Sequence, residues 1–214
     1  ILKKGVISDY KGSREDIWFV TNSNVRSTCR AWQYLDIQAR LNTRGIQAVI
    51  TNQLPNHVMG LLCGDKVVDP TQIKSFSPGA MAEHLTSWAA EFQRPQTKCT
   101  AWLSAGATAT CGSVVEPYSN PNKFPSARFF EHYNAGCSIL ESFYQSTASP
   151  LQQLFLGEPL ARPYSPRIKI NILGAHRINK PFNYAVSSEC VIPEVKIKYI
   201  FLIDGKLVQS SSDN

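Results

Sequence analysis

Three prolines, Pro159, Pro163 and Pro166, separate two stretches of chain with different hydrophobic periods. Before them, short apolar runs alternate with segments of helical spacing. After them, only alternating strand patterns remain. Strand–helix–strand alternation predicts a sheet covered by helices, and helix-free strands predict sheet stacked on sheet. The chain therefore reads as an α/β domain over residues 1–164, followed by a small all-β, sandwich-like domain over residues 165–214.

Within the first part, KKGVISDY and DIWFVTNSN are strand signals, each apolar and ending in turn formers. Residues 28–44, TCRAWQYLDIQARLNTR, set Trp32, Leu35 and Ala39 at helical spacing, with Gly45 as a C-cap. IQAVITN is a short buried strand. A helix through TKCTAWLSA stops at Gly106, and ATATCGSV is the next strand, its small residues letting a helix pack close. FFEHYNAGCSILESFYQS is a helix broken near Gly136, and LQQLFLGEPLARPY is a strand leaving the domain. This order predicts a mostly parallel sheet. Beyond it, RIKINIL, FNYAVSS and EVKIKYIFLIDGKLVQSS are strands, the last pair joined by the hairpin signal Asp204-Gly205.

Charge and hydropathy exclude some functions. The longest apolar run, Tyr199 to Ile203, is strand-sized, so no membrane span is expected. The net charge of +6 invites comparison with nucleic-acid binders, but it is spread along the chain. Residues 1–164 carry 15 Lys and Arg against 12 Asp and Glu, residues 165–214 carry 7 against 4, and no block of five basic residues occurs. That distribution argues against a specific nucleic-acid partner. The chain opens at Ile1, which reads as a processed chain or a piece of a longer one.

Six cysteines, Cys29, Cys63, Cys99, Cys111, Cys137 and Cys190, include no CxxC pair, against zinc-ribbon and thioredoxin readings. Their even number and wide scatter fit disulfides in an oxidising compartment; buried free thiols are the other reading. No spacing gives a metal signature, and no cofactor is expected.

Four segments, HLTSWAAEF, AWLSAGATATCGSV, AGCSILESFYQS and LFLGEPLARPY, come in one order at intervals that resemble the C-terminal half of the gingipain/caspase-like cysteine peptidase fold. They resemble more closely an uncharacterised exported bacterial family with HLTS…GATA…EP…ESFYQS…GDPLARP motifs. The likeness spans roughly residues 80–165, and residues 1–79 share only the order of elements. It implies a caspase/gingipain-like α/β domain followed by an immunoglobulin-like one. It also implies export to the periplasm, cell surface or medium.

In that fold a cysteine nucleophile ends one strand, five residues before a phenylalanine, and a histidine followed by glycine ends the preceding strand. Counting back from Phe92 gives Ser87. The candidate bases are His57, followed by valine, and His84, three residues before Ser87 on the same strand, where it points to the opposite face. Serine is a weak nucleophile without a placed base, whereas cysteine is partly thiolate near neutral pH. The resemblance therefore implies a vestigial site. Glu116, Glu141 and Glu158 fall in the matched motifs, with Glu158 replacing the aspartate of Gly-Asp-Pro and expected to hold the strand exit through backbone N–H groups. Cys111 and Cys99 are expected as disulfide or buried thiols, and Cys137 begins a helix. The resulting expectation is a catalytically silent, exported structural or binding module that takes a protein partner or assembles with itself. The alternatives are a hydrolase using Ser87 with His57 or His84, and a fragment of a larger enzyme.

Overall fold

A computed structural model describes residues 2–173, 183–192 and 197–212. Five parallel strands, β1 (Ile17–Val20), β2 (Ala48–Thr51), β3 (His57–Gly64), β4 (Ser75–Leu85) and β5 (Ala109–Ser113), form one sheet with an antiparallel sixth, β6 (Gln153–Gly157). The strand order is β2-β1-β3-β4-β5-β6. The central strand β3 carries the continuous apolar run Met59 to Cys63, as a parallel strand buried on both faces requires. The sheet with flanking helices matches the expected α/β class.

Helices cover both faces. One face packs Phe19, Met59, Leu62 and Met81 against α3 (Tyr34–Thr43) and α5 (Phe129–Asn134). Phe19 stacks on Tyr34 with ring centroids 4.6 Å apart. The other face packs Val58, Leu61, Cys63 and Ala82 against Trp102 of α4 (Thr100–Ala105). Gly106, at φ 132°, ends α4 as expected. The segment broken at Gly136 is α5 and α6 (Ile139–Ser146), the latter started by a capping box of Ser138 and Glu141.

Several elements differ from the sequence expectation. KKGVISDY is not a strand: residues Leu2–Ser8 form helix α1, which buries Gly5 and Ser8 on one side. Gly5 lies so close to the Glu158 side chain that a β-carbon there would collide with it, so a small residue lets the helix dock. Residues 28–44 are two helices, α2 (Val25–Ala31) and α3, broken at Trp32 and Gln33. The buried stripe is Tyr34, Ile37 and Leu41, whereas Trp32, Leu35 and Ala39 are exposed.

Past the prolines lie two antiparallel ribbons, β7 (Arg167–Leu173) with β8 (Asn183–Glu189), and β9 (Lys198–Ile203) with β10 (Lys206–Ser212). Asp204 and Gly205 both have positive φ, 48° and 75°, and make the expected β9–β10 turn. Tyr199 Oη of β9 donates to Ser188 Oγ of β8 at 2.6 Å. Phe182 and residues 194–196 of the predicted strands lie outside the described residues. Among the described residues no helix is long and apolar enough to cross a membrane.

Candidate functional site

In an open parallel sheet, ligands are held beyond the carboxyl ends of the strands, where loops diverge. Here that edge is formed by the loop from Thr21 to Asn24 after β1, by Gly64 and Asp65 after β3, and by Thr86 to Trp88 after β4. Ser87 is at this edge and nearly buried.

The segment bearing Ser87 is clamped. Gln96 Oε1 accepts hydrogen bonds from Thr86 Oγ1 at 2.6 Å and from the Trp88 amide at 3.1 Å, the residues on either side of Ser87. Gln96 itself has φ 134°, a conformation that non-glycine residues adopt at an energetic cost. Lys98 Nζ donates to the carbonyls of Trp88 and Glu91 at 2.8 and 2.6 Å.

A polar chain then crosses the edge. Asn24 caps α2 by accepting from the Arg26 amide, and its Nδ2 donates to Asp65 Oδ1 at 3.2 Å. Asn22 Nδ2 donates to Asp65 Oδ2 at 3.3 Å and to the Gly64 carbonyl at 3.1 Å. Arg26 Nη1 donates to Asn24 Oδ1 and Nη2 to Ser87 Oγ, both at 3.4 Å. The first turn of α2 passes directly over Gly64, where any β-carbon would strike the Arg26 carbonyl. Arg26 reaches Ser87 because position 64 is glycine.

Under this rim lies a buried ion pair. Arg30 Nη1 of α2 meets Glu83 Oε2 of β4 at 2.5 Å, with both residues fully buried. The Arg30 guanidinium also donates to the carbonyls of Cys63 and Pro125. Burial pushes the Glu83 carboxyl up, to about 7, against the pull of Arg30.

The three candidate catalytic residues do not converge. His57 opens β3 at the opposite end of the sheet, where Nδ1 bonds Ser75 Oγ. Seven residues of strand separate it from Gly64, about 23 Å at 3.3 Å per residue. His84 is fully buried on the α4 face. Its Nδ1 accepts from Trp102 Nε1 at 2.7 Å, and its Nε2–H donates to the Thr97 carbonyl at 3.1 Å. Burial, reinforced by the positive charges of Arg30 and Lys98, lowers its pKa to about 4 against the Thr97 bond. Both ring nitrogens are committed. The residue directly before the glycine that ends β3 is Cys63, whose Sγ donates to the Glu83 carbonyl.

None of Cys29, Cys63, Cys99, Cys111 and Cys137 is in a disulfide, which departs from the disulfide reading of the sequence. Cys63, Cys99 and Cys111 sit in close-packed core clusters on separate elements. The carboxylates of the matched motifs cap local backbone. Glu116 accepts from the Tyr118 amide, Glu141 from Ser138, and Glu158 from Leu160. Among the described residues no three His, Cys, Asp or Glu side chains gather as metal ligands.

Arg26, the buried Arg30–Glu83 pair and the role of Gly64 were not anticipated from sequence. The signal for them is the polar string TNSNVR directly after an apolar strand, which marks a loop at the carboxyl edge. No family model, no characterised protein and no solved structure matches this chain.

Proposed function

We propose that the chain is a catalytically silent protein of the caspase/gingipain-like type, exported, with an immunoglobulin-like tail, serving as a structural or binding module. The observation that carries this reading is the partner of Ser87. Among the described residues the side chain bonded to its Oγ is the Arg26 guanidinium, a hydrogen-bond donor with no lone pair to act as a base. A serine becomes a nucleophile when an adjacent base removes its proton. The edge around Ser87 is held rigid by hydrogen bonds to Gln96, from Lys98 and between Asn24 and Asp65, a fixed surface rather than a hydrolytic centre. The ribbons β7–β8 and β9–β10 expose Ile168, Ile170, Ile200, Leu202 and Leu207, and strand edges of this kind pair with partner strands.

The test is a denatured-peptide library incubated with the purified chain and with Ser87→Ala, read by mass spectrometry beside labelling with a serine-reactive phosphonate. No cleavage and no label on either protein is expected. Cleavage or labelling that vanishes in Ser87→Ala would make this a serine hydrolase and overturn the proposal.

A further inference from the structure

At the end of the sheet opposite Ser87, the loop that follows α1 meets the first ribbon. Asp9, Tyr10 and Lys11 from the loop, Arg167 at the start of β7, and Glu189, Cys190 and Val191 at the end of β8 line a cavity of about 440 Å³. That volume lies in the range of small-molecule sites.

The loop wall is tied in place. Asp9 Oδ1 accepts from the Arg162 amide at 2.9 Å, and the Gly12 amide donates to the Pro163 carbonyl at 2.9 Å. Tyr10, between Asp9 and Lys11, holds a left-handed backbone at φ 64°. A tyrosine keeps that conformation only where its surroundings impose it.

The charges of the lining are unequally committed. Glu189 is engaged by Lys169 Nζ at 2.6 Å, and Asp9 by the backbone of Arg162. Lys11 forms no ion pair and no side-chain hydrogen bond among the described residues; Arg167 forms neither, although it faces Glu189 across the β7–β8 register and its charge acts on that carboxylate. Because Glu189 is already held by Lys169, the side chains left to meet an incoming anion are Lys11 and Arg167, from two separate parts of the chain. A guanidinium presents paired N–H donors to a carboxylate or phosphate, and an ammonium adds a point charge beside it.

We propose that this cavity binds a small organic molecule through a carboxylate or phosphate group held between Lys11 and Arg167. The site is independent of the edge at Ser87, so its failure leaves the reading of Ser87 untouched.

The test is calorimetric titration of the full chain with citrate and with phenyl phosphate, which separate the carboxylate from the phosphate source. Lys11→Met, Arg167→Met and, as a basic residue away from the cavity, Lys66→Met are titrated in parallel, with circular dichroism to verify folding. Saturable binding of one probe is expected, weakened at least about tenfold by either of the first two substitutions and less than about twofold by Lys66→Met. Equal weakening by all three would show diffuse attraction to a basic protein and would overturn the site. Absence of binding of either probe up to about 10 mM would overturn it as well.

Discussion

The indole Nε1–H of Trp102 points at Nδ1 of His84 across 2.7 Å, and the opposite ring nitrogen of His84 is spent on the Thr97 carbonyl. The pair fastens α4 and the loop before it to β4. It also fixes His84 as neutral imidazole, since protonation of Nδ1 would set an N–H against an N–H.

A pH dependence of stability follows. The folded pKa of His84, about 4, lies below its ordinary 6.5. Its contribution is complete above pH 6.5 and is lost as pH falls from there through 4, by up to about 3 kcal/mol. Glu83 works in the opposite sense: raised to about 7, it contributes fully below its ordinary 4.5 and loses that contribution as pH rises through 7. The informative quantity is thus the difference between the parent and His84→Gln, in which Glu83 cancels. Urea denaturation at pH 7 and pH 4.5 should show a larger deficit for the variant at pH 7. A deficit of the same size at both pH values would mean that His84 titrates normally.

Breaking the Arg30–Glu83 pair should be costly on either side and cheaper when both are removed. Arg30→Met leaves the buried Glu83 carboxyl without its partner, forced either to stay charged in the core or to take up a proton, and Glu83→Leu leaves an unpaired guanidinium, each costing about 3–5 kcal/mol. The double variant should lose at least about 1 kcal/mol less than the summed single losses. Additive losses in chemical denaturation would mean that the two charges do not depend on each other.

Much of the architecture can be read from the residues. The apolar runs of β1, β2 and β5, the glycine stop at Gly106 and the Asp204-Gly205 turn are local signals, and local chemistry decides them. Residues 28–44 are different, because two interlaced stripes, Trp32/Leu35/Ala39 and Tyr34/Ile37/Leu41, share one helical period. Which stripe faces the sheet depends on Phe19, fifteen residues from Tyr34 in sequence. Helix α1 was hidden for a similar reason, since Gly5 weakens a helical pattern until Glu158 supplies the contact that explains it. Ser87 could be placed at a strand end by counting. Its partner Arg26 could not, because that meeting requires α2 to cross Gly64.

Gly64→Ala tests that crossing. The added methyl would lie 2.6 Å from the Ser27 nitrogen and nearer still to the Arg26 carbonyl, both backbone atoms with no side-chain freedom to yield. The helix must shift, at a cost of about 1–3 kcal/mol. A thermal-shift measurement that finds Gly64→Ala as stable as the parent would show that α2 does not rest on the strand there.

The native thiols should divide by burial. Burial pushes Cys63 and Cys111 well up and Cys99 up to about 11. Two units above the ordinary value of 9.0 reduce the thiolate of Cys99 about a hundredfold near neutral pH. Half-buried Cys137, which iodoacetamide can reach without opening the core, should be alkylated at least about a hundredfold faster than these three, measured peptide by peptide under native, non-reducing conditions. Recovery of any two of Cys29, Cys63, Cys99, Cys111 and Cys137 as a cross-linked peptide would contradict the packing described for them.

The edge at Ser87 should favour an anion. Arg26 cannot accept a proton, but a positive charge 3.4 Å from Oγ favours a negative one at the same place. Ser87→Cys converts this into a measurable pKa, because a thiol titrates where a hydroxyl does not. The guanidinium should lower that thiol by about one unit or more from its ordinary value. Removing it in Ser87→Cys/Arg26→Met should raise the pKa again, since the site is nearly buried and nothing then offsets desolvation. The pH profile of alkylation at residue 87 reads both values. Peptide cleavage should stay absent from Ser87→Cys even with its thiolate formed, because a leaving amine needs a proton donor and both ring nitrogens of His84 are committed elsewhere. A low thiol pKa without turnover would mark the edge as one that holds an anionic group and lacks the acid–base partner for hydrolysis. An unshifted pKa in Ser87→Cys would remove Arg26 from the site.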